Sequence, residues 1–247
     1  MLLLVVLDLF LIQAWFPPTF SHWNNGGSWS ISVEMFFYSL FPLLRDKLLL
    51  LQKRGIVLIM AFLYVLILVI GLSILVYGDS GAGIAYSMPI FRLPEFILGM
   101  TTFYFAEKIR QANKSLSGTL VLILLMILII DLALVGSKLP LYLSHDWIAV
   151  PFFCTLMVFL YSKETRISKL LSLPVLNLLG KSSYSFYSLQ TFFILFSITY
   201  REKISTLLPF LLNNHYFGVS LFILLVTVSV LTYKLLEEPI RRKIQAR

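Results

Sequence analysis

In Asn25-Gly26-Gly27-Ser28-Trp29-Ser30-Ile31-Ser32-Val33-Glu34, an amide, three hydroxyls, an indole and a carboxylate run directly into the apolar stretch Met35 to Phe41. A polar cluster therefore enters a hydrophobic helix. A carboxylate within a bilayer costs a few kcal/mol or more unless it is paired, hydrated or neutral, so by default it marks a functional site. The plainer alternative is a cap at a helix start. Arg92 and Glu95 form a second candidate pair in Phe91-Arg92-Leu93-Pro94-Glu95. Three apart, they share a helix face. Pro94 suits a first helical turn and disfavours helix at Leu93, which predicts a helix starting near Pro94 with Glu95 at its positive dipole end. Pairing of Arg92 with Glu95 or with Glu34 stands beside a direct role on substrate, and either way Arg92 should face the interior.

Asp131 lies deep in the apolar stretch Leu120 to Val135 with no cation at helical spacing, so it needs a partner on another helix, water or a proton. Asp8 poses the same question. Ser183, Tyr187 and Gln190 fall on one helical stripe, a spacing at which small hydroxyls serve helix packing. His22, His145 and His215 sit in or beside connectors, and only His22, seven residues before Trp29, is near enough to the cluster to be an acid/base candidate. No phosphate-binding glycine loop, HExxH or Cys/His ligand set is present, and no metal is expected. The single cysteine, Cys154, excludes an intrachain disulfide.

The elements that must position these groups are membrane helices. Hydrophobic residues make up 59% of the chain and charged residues 13%, with a mean hydropathy of +0.89, whereas soluble domains carry about a quarter charged residues. Length and pattern predict an all-α, polytopic transmembrane helix bundle of about eight spans, forming one domain over residues 1–247. The spans are read at 1–16, 30–44, 56–77, 88–106, 118–137, 147–162, 183–200 and 216–235. Lys and Arg alternate between connectors: four in 45–55, three in 107–117, four in 163–182 and five from Lys234 onward, against none in 17–29, none in 78–87, one in 138–146 and two in 201–215. The richer set is cytoplasmic by the positive-inside rule, which puts the Trp29 cluster outside and Met1 inside. The net charge of +8 thus needs no nucleic acid, and the basic tail reads as an anchor on anionic membrane lipid.

Four ordered segments resemble one family, the membrane-bound acyltransferase 3 proteins. Gln13-Ala14-Trp15-Phe16 followed by Trp29-Ser30-Ile31-Ser32-Val33-Glu34 and Phe41-Pro42 is similar to that family's W-S-L-S-V-E segment. Arg92 to Met100, Leu179 to Tyr187 and Glu238-Pro239-Ile240-Arg241-Arg242 resemble its other short motifs. The resemblance implies an O-acyltransferase of the bacterial cell inner (plasma) membrane. Such an enzyme moves an acyl group, acetyl by expectation, from acyl-CoA to a sugar hydroxyl of a surface polysaccharide, lipopolysaccharide or lipid-linked glycan. No bound cofactor is implied, acetyl-CoA being a co-substrate. In that frame Glu34 and Arg92 are the catalytic candidates, Glu34 orienting a base or cation. Trp29 would stack on a sugar face and Asn25 and Ser30 would bind its hydroxyls, with Tyr38, Glu95 and Tyr184 completing the substrate-binding set.

Two departures qualify the likeness. Gln190 stands where the family usually has histidine. Nothing in Met1 to Trp15 matches the Arg and His, about ten residues or three helical turns apart, to which the family's activity is attributed. The chain thus reads as a member without its first two or three helices: a truncated reading frame, an N-terminally processed or split protein with a separate N-terminal partner segment, or a misassigned start. A transporter or flippase for lipid-linked sugar or acyl groups, and a non-catalytic fragment, are the rival readings.

Overall fold

The computed structural model describes residues 2–22, 29–78, 83–114, 116–207 and 214–245. These are mainly helical, with no strand among the described residues. In chain order the helices are α1 (Leu2–Leu9), α2 (Trp29–Leu49), α3 (Lys53–Tyr77), α4 (Ile84–Ser87), α5 (Pro89–Gln111), α6 (Gly118–Leu134) and α7 (Leu141–Asp146). They continue with α8 (Ala149–Ser162), α9 (Arg166–Leu171), α10 (Pro174–Lys181), α11 (Ser183–Leu207), α12 (Asn214–Thr232) and α13 (Glu238–Gln245).

Several boundaries differ from the sequence reading. The span expected over 1–16 is broken: α1 has 8 residues and is followed by 3-10 turns at Gln13–Trp15 and Pro17–His22. Leu11, at φ 56°, adopts the left-handed conformation, and Pro17 disfavours helix at Phe16. α5 starts at Pro89 rather than Pro94, because Pro89 takes the first helical position. Pro94 is carried inside the helix. α2, expected to stop near residue 44, runs 21 residues through Pro42.

Among the described residues, α3 and the continuous stretch Tyr216–Gln245 are long and apolar enough to cross a membrane, where the pattern anticipates about eight spans. α6 and α8 are apolar but have 17 and 14 residues, short of the roughly 20 a crossing needs. α2, α5 and α11 are long but carry charged residues.

The chain forms two compact units that part at Ile167. In the first, α3, α5 and α7 enclose Leu63, Ile67, Ile74, Leu98 and Tyr142, while α6 packs on α8 through Val121, Leu128, Phe152 and Phe159. Gly71 sets how closely α7 approaches α3, since a Cβ there would lie 2.6 Å from Leu143 Cδ1. The Tyr64 hydroxyl donates to the Trp147 carbonyl at 2.5 Å and fixes the α7–α8 junction to α3. These two contacts hold Tyr142 and Asp146 in place.

In the second unit α11 packs on α12, with Phe186 and Phe222 edge to face. A π-turn at Tyr233–Glu237 joins α12 to α13 and brings Glu237 to the buried Ser185, whose hydroxyl donates to it. The motif pieces Leu179 to Tyr187 and Glu238 to Arg242 therefore sit on joined elements. Ser185 and Ser197 of α11 are buried, as is Ser182 just before it, whereas Ser183 and Tyr187 of the expected packing stripe are exposed. The stripe is displaced because the helix turns Ser185, not Ser183, toward Glu237.

Candidate active site

The first two motif segments are joined through the α2 surface. The buried Ser32 hydroxyl oxygen accepts from the Ala14 N–H at 3.4 Å, and the Trp15 and Phe36 rings meet edge to face at 4.9 Å. Phe37 then stacks on Phe96 of α5, their centroids 4.5 Å apart. The start of α2 is thereby set against the start of α5.

At that place Arg92 is 8% exposed. Its Nε donates to the Tyr86 carbonyl at 2.6 Å, and Nη1 donates to Glu95 Oε1 and Oε2 at 2.8 and 2.9 Å and to Asp146 Oδ2 at 3.0 Å. Two N–H bonds thus serve three carboxylate oxygens. The guanidinium carbon lies 4.4 Å from the Tyr86 ring centroid, 4.9 Å from that of Tyr142 and 5.8 Å from that of Trp29. A weakly hydrated guanidinium tolerates such burial because carboxylates offset its charge and ring faces attract it. Nη2 makes no hydrogen bond among the described residues.

Tyr142 is buried against this cluster, its hydroxyl 3.4 Å from the Phe91 carbonyl. Burial, then the charges of Glu95 and Asp146, push its phenol well above the ordinary range, so it stays a protonated donor.

The predicted site residues divide. Arg92, Glu95 and Trp29 come together; Glu34 does not join them. At 100° per residue, Glu34 lies roughly 140° around α2 from Trp29 but only about 40° from Ser30, so Ser30, Glu34 and Tyr38 form a separate stripe. Glu34 is half-buried there and accepts from the 66% exposed Tyr38 at 3.4 Å. Among the described residues it forms no ion pair, so of the two carboxylates expected to pair with Arg92 the structure selects Glu95. Ser30 is half-buried. Tyr184 belongs to the second unit, 50% exposed at the start of α11. Asn25 lies outside the described residues, as do the side chains of His22, His145 and His215.

Asp146, Tyr86 and Tyr142 complete the cluster and were missed by the sequence reading. Asp146 stands 54 residues from Arg92 at the end of a six-residue helix, where its only local signal is an acidic residue in a connector. Asp131 is buried, and neither carboxylate oxygen has a hydrogen-bond partner among the described residues. The partner on another helix is not found there. Cys154 is a free, half-buried thiol, and no group of metal-ligating side chains occurs among the described residues.

The family model described as an acyltransferase domain, Acyl_transf_3, matches residues 2–234. The chain belongs to the acyltransferase 3 family. No curated protein and no solved structure matches it. Membership makes acyl transfer the general activity to be explained, and within the family's span the Arg92 cluster is the most buried assembly of charge in the first unit.

Proposed function

We propose that this acyltransferase 3 protein is a multi-pass enzyme of the bacterial inner membrane that transfers an acetyl group from acetyl-CoA to a sugar hydroxyl of an exported polysaccharide or lipid-linked glycan. The observation that carries this reading is the buried Arg92, with Nε and Nη1 occupied and Nη2 left open beside three aromatic rings.

The chemistry asks for such a group. A sugar hydroxyl attacks the thioester carbonyl, its proton passes to a base, the carbonyl oxygen gains charge, and the thiolate of CoA departs as the carbonyl re-forms. Donors fixed in advance at the developing oxyanion lower the barrier because they need not reorient during reaction. Arg92 Nη2 supplies those donors. Glu95 and Asp146 bind the other end of the same guanidinium and act as positioning residues. Trp29 lies at the rim, where its indole offers an apolar face to a sugar ring. Glu34, on the neighbouring stripe, orients the acceptor or its base rather than Arg92. The base is assigned by the family resemblance to a histidine on a membrane segment that nothing in Met1 to Trp15 matches.

The test is acetylation of cell-surface glycan in cells expressing the chain with and without such a segment. Arg92→Lys retains the charge but has one nitrogen for the work of three, and is expected to abolish acetylation while the protein stays in the membrane fraction. Undiminished acetylation by this variant would overturn the assignment. Movement of a glycan across vesicles without covalent change would replace it with transport.

A further inference from the structure

We propose that the groove between α2 and α5 binds an anionic phospholipid, one acyl chain lying in the groove and the phosphate on Arg45. The inference goes beyond the acyl-transfer reading and rests on its membrane placement alone.

The groove has a volume of about 550 Å³. Phe41, Arg45 and Leu49 of α2 and Gly99, Met100 and Phe103 of α5 line it, and Arg45 is the charged residue among them. Residues 41, 45 and 49 recur every four positions, so they present one continuous stripe. Phe41, Leu49 and Phe103 are each more than 40% exposed, as a surface awaiting an apolar occupant should be.

Gly99 keeps the groove open on the α5 side. It lies within α5 without a positive φ, and a Cβ built there meets no atom within 4 Å. Glycine inside a helix is destabilising relative to alanine, and here neither backbone conformation nor a neighbouring residue requires it.

Charge selects among occupants. Arg45 is exposed, forms no ion pair among the described residues, and belongs to a connector of the cation-rich set that faces the anionic leaflet. Its planar fork matches a phosphate. A packed helix would fill the apolar part but leave that guanidinium without a counter-charge. A phospholipid supplies tail and phosphate together.

The experiment places the full chain in lipid nanodiscs holding, at equal mole fraction, phosphatidylglycerol or phosphatidylcholine with a photoreactive group in one acyl chain. Labelled peptides are then mapped. The glycerol probe is expected to label segments 41–49 and 99–104 about fivefold more than the choline probe, the size of one basic side chain's preference for an anionic surface. Arg45→Gln should erase that preference and leave the choline labelling unchanged. Gly99→Leu should lower labelling by both probes, and since its side chain enters empty space the variant should keep its melting temperature. Equal labelling of the unsubstituted chain by both probes overturns the proposal, as does a preference that survives Arg45→Gln or a co-purified helical peptide that cross-links at residue 99. Resistance of the chain to alkaline carbonate extraction tests the membrane placement separately.

Discussion

Each end of α5 carries an arginine three residues from a glutamate, and at each end a tyrosine ring lies under the guanidinium. At the start, Arg92 and Glu95 have side-chain exposures of 9% and 23%; at the finish, Arg110 and Glu107 have 52% and 27%. The ring distances are alike, 4.4 Å from Arg92 to Tyr86 and 4.7 Å from Arg110 to Tyr161. What differs is a second carboxylate. Asp146 reaches Arg92 from another helix, whereas Glu107 takes the Tyr161 hydroxyl at 2.7 Å and the Gln111 amide at 2.9 Å. The same local pattern therefore makes a desolvated charge cluster at one end and a hydrated surface network at the other. Only the first holds charge where a developing oxyanion would feel it at low dielectric.

The comparison breaks most visibly if the arginines are exchanged for neutral residues. Arg92→Gln leaves two carboxylates without their cation and is expected to cost about 3–5 kcal/mol, the range for removing one partner of a buried pair. Arg110→Gln should change the melting temperature little. Thermal unfolding in detergent checks both, and similar shifts for the two variants would show that burial does not separate the ends. Asp146→Asn comes next: it retains an acceptor for Arg92, lowers turnover and costs about 1–3 kcal/mol. A fall in kcat with KM unchanged would mark it as positioning the guanidinium rather than binding substrate.

Asp131 sharpens the contrast as a buried carboxylate that pairs with no cation among the described residues. Asp131→Leu should be neutral or stabilising by about 1 kcal/mol in the same assay, since it removes buried acceptors that lack donors. A loss of acyl transfer in a well-folded Asp131→Leu protein would instead give this residue a functional role.

The smallest effect concerns pH. The hydrogen bond from Tyr161, then that from Gln111, holds the Glu107 carboxyl below its usual value of 4.5. Its unfolded-state value is therefore the higher, and the unfolded chain binds the proton first as pH falls. The contribution is full above about 4.5 and lost as pH drops through the lower folded value. A shallow loss of stability in that window, absent in Glu107→Gln, is the expected result.

Some of this site was legible in the residues. Arg92 and Glu95 share a helix face because of their spacing alone, and the structure pairs them. The Trp29 segment was recognisable as a cluster, but its division into a Trp29 face and a Ser30–Glu34–Tyr38 face was passed over, although helical geometry carries it. The break after α1 was hidden because Leu11 looks like any apolar residue until its φ is known. The start of α5 was misplaced because either Pro89 or Pro94 satisfies the rule for a first turn.

The sequence alone determined the helical class, the apolar character, the family and the identity of the buried cation, because these follow from composition, 3.6-residue periodicity and short motifs within single segments. The tertiary structure decided that Asp146 rather than Glu34 joins Glu95 on Arg92, that Tyr86 and Tyr142 flank it, and that Nη2 is left open. A desolvated charge takes whichever partners distant elements bring within about 3 Å, and that choice is set by how α3, α5 and α7 pack, as with Leu143 against Gly71.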